Sequence, residues 1–298
     1  MGRLVSVIIP SYGGGEYVNR AVDSVLAQTY QDIEVVVVDD NGLGTEKQIV
    51  TRQRMSKYVG NPRVQYVCHE VNKNGSAARN TGFRYTNGDY IALLDDDDLY
   101  YPDRIEKQVS LLDTLDDDYA LVYCGCEVYQ GDKRIGEIHP VDSDDMLFDL
   151  LAHNMTIESS SILMRRSVYE ELHGFDESFR RHQDWEFTAR IAASFKMKAI
   201  DIIGVRRYLE FRNSAKTPEQ VKQYREHYLE KMMPYISQLS EKQKKEVLIR
   251  NRVDVAIQYL KKKDIIGFLK AYHDARPGFK GATIMANSVF YHFKKMWN

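Results

Sequence analysis

Cysteine, long apolar runs and net charge are all scarce in this chain. Its 298 residues include three cysteines, Cys68, Cys124 and Cys126, an odd number. All three lie in apolar, strand-like stretches, which argues against a disulfide framework and fits a reducing cytoplasm. Cys124 and Cys126 make a lone Cys-x-Cys with no His or further Cys nearby, so buried thiols are a better reading than zinc ligation. No apolar run approaches the ~18 residues that cross a bilayer, and the first ten residues read as a strand, not a secretion signal. The formal net charge is −2, from 41 basic and 43 acidic residues. Nothing in that balance points to a nucleic-acid partner. A soluble cytoplasmic body is expected, with peripheral contact at the inner face of the plasma membrane left open.

What is present is alternation. Runs at 4–9, 33–38, 64–68 and 90–94 are β-branched and almost wholly apolar. Segments of helical or polar character separate them, with Tyr17, Ala21, Val22, Val25 and Leu26 at helical spacing in the first. Such runs indicate a parallel sheet covered on both faces. Ligands bind such sheets beyond the carboxyl ends of the strands. Here those ends carry Pro10-Ser-Tyr12, Asp39-Asp40 and Asp95-Asp-Asp-Asp98. After Leu121 the pattern changes. Strands at 120–124, 126–130 and 134–138 look antiparallel, with Gly131-Asp132 as a turn. A strand at 160–164, a helix at 182–194 and closing strands at 198–204 and 205–211 follow. From Pro218 the chain reads as helical. Val221, Tyr224, Tyr228 and Met232 form one stripe, Ser240 and Gln243 have capping-box spacing, and a last helix carries Ile284, Val289, Phe290, Phe293 and Trp297. The expected division is an α/β unit over residues 1–215, with a nucleotide-binding half and a mixed half, and a helical region over 216–298.

Four consecutive aspartates directly after a buried strand repel one another. A helix cap at Pro102 needs only one of them. A divalent cation compensates the repulsion. Mg²⁺ and Mn²⁺ prefer hard oxygen ligands, and Mg²⁺ is commonly held by one or two carboxylates plus substrate phosphates. A cation there would bridge a diphosphate and neutralise a leaving group.

The chain resembles glycosyltransferase family 2, the inverting enzymes of the GT-A fold. The residues that carry the resemblance are Val5-Ser-Val-Ile-Ile-Pro-Ser-Tyr12, Ser24-Val-Leu-Ala-Gln-Thr-Tyr30, Glu34-Val-Val-Val-Val-Asp-Asp40, Gly75-Ser-Ala-Ala-Arg-Asn-Thr-Gly82, Gly88-Asp-Tyr-Ile-Ala-Leu-Leu-Asp-Asp-Asp-Asp98, Gly174-Phe-Asp-Glu177 and Gln183-Asp-Trp-Glu186. They occur in family order over roughly residues 4–195 and are specific as a set. The resemblance implies a Rossmann-like nucleotide-binding half with a mixed sheet. It places Pro10, Tyr12 and Asp40 at the nucleotide base, with Asp40 facing the imide of uracil. It places Asp95 and Asp96 at ribose and donor, Asp97 at the metal, and Arg79 and Asn80 along the donor pocket. Asp184 matches the Asp of the family's acidic pair, the general base, while Gln183 replaces the usual Glu. Trp185 offers a flat surface to a sugar ring, and Glu186 is a lesser acceptor-side candidate. One departure stands out. Gly13-Gly-Gly15 replaces the usual Asn after the Tyr, which gives the loop near the base unusual freedom.

The expected function is transfer of a sugar from a nucleotide-diphospho-sugar, a UDP-sugar by Asp40, to an acceptor hydroxyl, with Mn²⁺ or Mg²⁺. The acceptor expected by analogy is a saccharide or lipid-linked saccharide in bacterial cell-surface polysaccharide synthesis. The alternative is a nucleotidyltransferase or sugar-phosphate transferase, but Gly13-Gly-Gly15 precedes Glu16 and not the basic residue that triphosphate cradling needs. One of Arg206, Arg207 and Arg212 could meet diphosphate, and Ser159-Ser-Ser161 could line the acceptor side. The C-terminal helices, with Lys280, Lys294 and Lys295, are open to packing, homo-oligomer assembly or membrane contact.

Overall fold

The computed structural model describes residues 2–13, 15, 17–209 and 217–275. Strands and helices alternate through the first hundred residues as β1 (Val5–Ser11), α1 (Val18–Leu26), β2 (Ile33–Asp39), α2 (Glu46–Met55), β3 (Val64–Cys68), α3 (Gly75–Arg84), β4 (Tyr90–Leu93) and β5 (Leu99–Tyr100). α4 (Arg104–Leu112), β6 (Tyr119–Gln130), β7 (Lys133–Ile138), α5 (Met146–Leu151), β8 (Ile162–Arg165), α6 (Arg166–Glu171), α7 (Gln183–Ser194) and β9 (Lys196–Tyr208) follow. The chain then runs through α8 (Pro218–Ile236), α9 (Glu241–Lys261) and α10 (Ile265–Ala275).

One nine-stranded sheet has the order β3-β2-β1-β4-β8-β6-β9-β5, with β7 paired to β6. β1 pairs in parallel with β2 and β4, and β2 with β3. Val5, Val7, Ile8, Ile9 and Val35–Val38 are wholly buried, as strands covered on both faces require. Beyond β4 the sheet turns mixed, since β8 runs antiparallel to both β4 and β6.

The second half departs from expectation in a consistent way. Residues 120–124 and 126–130 form one strand, β6, and residues 196–208 form one strand, β9. β6 and β9 pair in parallel. Only the β6–β7 hairpin is antiparallel as expected, with Gly131 at φ +57° in its turn. Gly125, between two expected strands, and Gly204, at the end of another, are points of close approach. A Cβ on Gly125 would lie 2.6 Å from the Ile138 carbonyl oxygen, and one on Gly204 would lie 2.6 Å from Cys124 Sγ and 2.9 Å from Arg104 Cγ. Ser159–Ser161 is a 3-10 turn ahead of β8, not part of a strand. β5, α5 and α6 lacked any distinct sequence pattern.

Two compact units emerge: Met1–Asp144 with Ile157–Arg212, and Asp145–Thr156 with Asn213–Asn298. The helical unit thus also takes α5, whose Leu150 and Leu151 are buried. Thr217 with Gln220 caps α8, and Ser240 with Gln243 caps α9, each as a capping box. α8 buries Arg225, Tyr228, Leu229, Met232 and Ile236, while Val221 and Tyr224 of the expected stripe are half-buried. Asn251 of α9 is fully buried and donates to the carbonyls of Leu151 at 3.1 Å and Val247 at 3.0 Å. The helix expected around 284–297 lies outside the described residues, as do Gly14, Glu16 and Arg212.

Helix α3 sets the position of the residues that matter most below, and small side chains let it do so. Asn74 stands at φ +103° and accepts from the backbone N–H groups of Ser76 and Ala77, which starts the helix. Ala78 packs on Val36 and Val38. A Cβ on Gly82 would lie 2.4 Å from Ile8 Cγ2, so only glycine lets α3 sit this close to β1. Gly82→Ala is expected to lower stability by about 1–2 kcal/mol, because overpacking outweighs the gain in helix propensity. A lower urea midpoint at unchanged slope is the expected result; an unchanged or raised midpoint would contradict the close approach.

Candidate active site

The carboxyl ends of β1, β2 and β4 carry the polar residues, and hydrogen bonds knit those ends together. Ser11 Oγ at the end of β1 donates to Asp96 Oδ2 at 2.7 Å. The Gly13 N–H donates to Asn41 Oδ1 at 2.8 Å, which ties the loop after β1 to the end of β2. Gly13 has φ +98° and Gly15 φ +55°, conformations that explain glycine where the family pattern has Asn. Pro10 is half-buried opposite Val38. Tyr12 is 55% exposed, with the Lys47 ammonium 5.3 Å above its ring.

Asp40 is committed within the fold. Its Oδ1 meets His69 Nδ1 at 2.7 Å and the Lys73 N–H at 2.8 Å, and its Oδ2 accepts from Asn72 Nδ2 at 2.8 Å and the Asn74 N–H at 2.9 Å. His69 Nε2 lies 2.8 Å from Thr81 Oγ1. Asp40 thereby fixes the loop that leads into α3. With two partners already on each oxygen, a base imide would have to share one. Asp39 is equally engaged, by Asn41 and by the Tyr66 hydroxyl at 2.6 Å.

The four-aspartate run is a turn between β4 and β5, and its members face different ways. Asp98 points inward and is 3% exposed. It accepts from Ser160 Oγ at 2.6 Å and from the Tyr208 N–H at 3.0 Å. Burial, with Asp97 and Asp95 adding repulsion, pushes its carboxyl well above the ordinary value. Asp96 is buried on Ser11, while Asp95 and Asp97 are partly exposed. The Asp95 N–H donates to Ser160 Oγ at 3.1 Å, so Ser160 braces both ends of the turn.

Arg79 joins this turn to α7. The side chain is 7% exposed and donates from Nη2 to Asp95 Oδ1 at 2.6 Å and from Nη1 to Gln183 Oε1 at 3.0 Å. Its Nε is buried with no hydrogen-bond partner. Asp184, one residue beyond Gln183, accepts from the Trp185 N–H at 3.0 Å. Burial raises its carboxyl above the ordinary Asp value, with Arg79 opposing and Asp95 reinforcing the shift. Asp184, Arg79 and Asp95 therefore share one electrostatic site although 105 positions separate 79 from 184 in the chain. Trp185 stacks on His182 with ring centroids 3.9 Å apart.

Two expected residues turn elsewhere. Asn80 Oδ1 accepts from the Tyr169 hydroxyl at 2.8 Å and the Phe175 N–H at 2.9 Å, and its Nδ2 donates to the Phe175 carbonyl and to Glu177. It holds the Gly174–Glu177 loop, which places the neighbour Arg79 rather than presenting its own amide to the site. Glu186 is 2% exposed and paired with Arg190, which also donates to the carbonyls of Leu172 and Gly174. Two residues on from Asp184, about 200° around α7, it faces the protein interior.

Glu158 and Arg207 complete the cluster. Arg207 Nη1 lies 3.2 Å from Glu158 Oε1. Burial raises the Glu158 carboxyl, Arg207 opposes, and Asp184 and Asp95 add to the shift. Burial works against the Arg207 charge, but Glu158, Asp98 and Asp95 more than restore it. Arg206 instead lies over the Tyr129 ring at 4.6 Å. Glu158 gave no sequence signal, being an isolated acid in an irregular stretch. Ser11 and Gln183 stood inside the quoted motifs.

The sequence profile of Glycosyl transferase family 2 matches residues 6–173. A glycosyltransferase of Rickettsia prowazekii is 34% identical over 194 residues, 61% of this chain and 57% of its own length. This chain thus spans little more than half of that relative. The amylovoran biosynthesis glycosyltransferase AmsB of Erwinia amylovora is 28% identical over 243 residues, 78% of each chain. The UDP-Glc:alpha-D-GlcNAc-diphosphoundecaprenol beta-1,3-glucosyltransferase WfgD of Escherichia coli is 27% identical over 198 residues, 66% of this chain and 73% of its own. Among solved structures, S. aureus TarS 1-349 in complex with UDP-GlcNAc matches with a TM-score of 0.60 at 15% identity over 92% of each chain. Mannosyltransferase PcManGT from Pyrobaculum calidifontis in complex with GDP-Man and Mn²⁺ matches with a TM-score of 0.61 at 16% identity, over 98% of this chain and 81% of that one. At such identities the structures speak to the fold alone, an α/β GT-A architecture with a mixed sheet and C-terminal helices. A profile covering more than half the chain settles the family: the chain belongs to glycosyltransferase family 2.

Proposed function

We propose that this chain transfers a sugar, with inversion, from a UDP-sugar to a saccharide hydroxyl, and that Asp184 is the general base. The observation that carries this reading is the placement of Asp184 beside Arg79 and Asp95 at the carboxyl ends of the parallel strands, with its carboxyl raised by burial. A raised carboxylate is the better proton acceptor, since general-base efficiency grows as the pKa approaches working pH. As the acceptor oxygen attacks C1 of the donor sugar, its proton passes to Asp184. The bond from C1 to the diphosphate oxygen breaks, and the nucleoside diphosphate leaves.

The exposed Tyr12 side chain would meet the base beside Asp40, and Arg207, the one of the two described candidate arginines that faces the carboxylates, would meet diphosphate charge. Among the described residues no three His, Cys, Asp or Glu side chains form a cage for a metal ion. A cation that arrives with the diphosphate needs only one or two carboxylates. Asp97, with phosphate oxygens, would hold Mn²⁺ or Mg²⁺, and the crowding of Asp95, Asp97 and Asp98 is relieved by positive charge there. When bound, such a cation stabilises negative charge on the departing diphosphate. UDP-sugar use and a lipid-diphosphate-linked acceptor are supported by what the names of WfgD and the TarS complexes state of those proteins. Cell-surface polysaccharide synthesis is supported in the same way by AmsB.

Asp184→Asn is expected to lower kcat by about 10²–10⁴-fold, the range of general-base contributions, while UDP-sugar still raises the melting temperature. Near-parental turnover would remove Asp184 from the role. Because the folded-state carboxyl is raised, it stays protonated to higher pH. The acid limb of kcat/KM should therefore have its midpoint above 3.8, the ordinary Asp value. A limb at or below that value would contradict the assignment.

Asp97→Ala is expected to weaken Mn²⁺-dependent UDP binding by at least about tenfold, roughly the 1.4 kcal/mol that one decade represents, and to leave metal-free UDP binding unchanged. Calorimetry with and without Mn²⁺ checks this. Equal binding by parent and variant would remove the metal role, and release of pyrophosphate instead of UDP would favour nucleotidyl transfer.

A further inference from the structure

Helix α10 packs in the second unit with a face of small residues. Gly267 lies against Tyr259 of α9, where a Cβ would come within 2.3 Å of Tyr259 Cδ1. Ala271 and Ala275 lie on the same side by helical spacing, and Ala275 is buried with Ile249, Val253 and Ile257 of α9. The opposite side carries Ile265, 54% exposed, Ile266, 83%, and Leu269, 59%. A helix that turns three large aliphatic side chains to solvent and its glycine and alanines toward its neighbours is inverted relative to a helix that serves only its own core.

A short basic run leads into this face. Lys261, Lys262 and Lys263 are exposed in succession where α9 ends. Lys263 stands at φ +60°, and Asp264 caps α10 by accepting from the Gly267 N–H at 2.8 Å. The lysine run is therefore held one turn from Ile265 and Ile266. Lys270 of α10 is exposed as well, while Lys222 and Arg252 lie with Glu226 and Asp274 at a cavity of about 630 Å³ on the glycine and alanine side of α10. The whole chain has a net charge of −2, so this basic concentration is local.

From this juxtaposition we propose that the α10 face, with the lysine run before it, docks on an anionic lipid surface. Aliphatic side chains flanked by lysine match the boundary between acyl chains and acidic headgroups. Eleven residues rise only about 16 Å, roughly half the ~30 Å hydrocarbon core, so the helix lies on the surface and does not cross it. No helix among the described residues is long and apolar enough to cross a membrane. A second copy of the chain fits less well, because three exposed aliphatic side chains fall far short of the ~20–30 residues a side of a stable interface. The inference deepens the proposed function, since it brings the enzyme to where a lipid-linked acceptor resides.

The test is sedimentation of the full chain with vesicles of phosphatidylglycerol and phosphatidylethanolamine, and with vesicles of phosphatidylcholine alone. UDP binding is measured on the same samples. The parent should bind the anionic vesicles, bind phosphatidylcholine at least tenfold less, and release as salt shortens the screening length from ~10 to ~3 Å between about 0.1 and 1 M. The double variant Ile266→Asp/Leu269→Asp and the triple variant Lys261→Gln/Lys262→Gln/Lys263→Gln should each lose at least tenfold in vesicle binding with UDP binding intact. Val59→Asp, at an 85% exposed site in the first unit, should bind as the parent does. A parent that ignores anionic vesicles, or a double variant that binds like the parent, would overturn the inference. So would a double variant that instead splits a dimer, or melts several degrees lower, since either assigns the face to protein packing. Loss of UDP binding by the parent itself would count against the proposed function and not against this surface.

Discussion

The buried guanidinium of Arg79 is the interaction on which the site depends. It reaches from α3 to Asp95 at the end of β4 and to Gln183 at the start of α7, and so joins three elements that are remote in sequence. Its own placement follows from small residues and caps: Gly82 lets α3 approach β1, Asn74 starts the helix, and Asn80 locks the loop that backs it. A charged hydrogen bond of this kind contributes on the order of 1.5–3 kcal/mol. The Asp95 side chain is 41% exposed, so solvent screening keeps the loss of this pair below the about 3–5 kcal/mol that breaking a fully buried ion pair costs. Without Arg79, burial and repulsion from Asp95 would hold the Asp184 carboxyl up with less to oppose them.

The charge pattern leaves the site incomplete in a specific direction. Arg79 and Arg207 face Asp95, Asp98, Glu158 and Asp184, and Asp97 adds to the same negative field through Asp98. The acids outnumber the bases among these residues. A diphosphate would be repelled by that field unless positive charge came with it, which is the electrostatic reason for a cation to accompany the donor. The excess has a second effect, since burial holds the Asp184 carboxyl up and repulsion from Asp95 adds to it.

The first half of the fold and its site were legible because parallel strands buried on both faces have a plain composition, and their carboxyl ends follow from topology. Asp95, Asp184 and Arg79 do come together. Side-chain commitments were less legible. Nothing in Val35-Val-Val-Val-Asp-Asp40 reveals that His69, Asn72 and two backbone N–H groups converge on Asp40. Adjacent motif residues also part company: Arg79 faces the site while Asn80 braces a loop, and Asp184 faces it while Glu186 pairs with Arg190. Four identical aspartates gave no hint that Asp98 turns inward to Ser160. In the mixed half, the expected strands part at Gly125 and end at Gly204; glycine in a strand is ambiguous between a break and a close approach, and only the neighbours decide which.

A single displacement assisted by one carboxylate inverts the anomeric carbon, and that stereochemistry tests the account most directly. Proton NMR of the glycoside formed when an α-linked UDP-sugar is turned over with a saccharide acceptor and Mn²⁺ reads it from the anomeric coupling of the new linkage. The account predicts the β anomer. The α anomer would mean retention, and a single attack assisted by Asp184 could not be the chemistry.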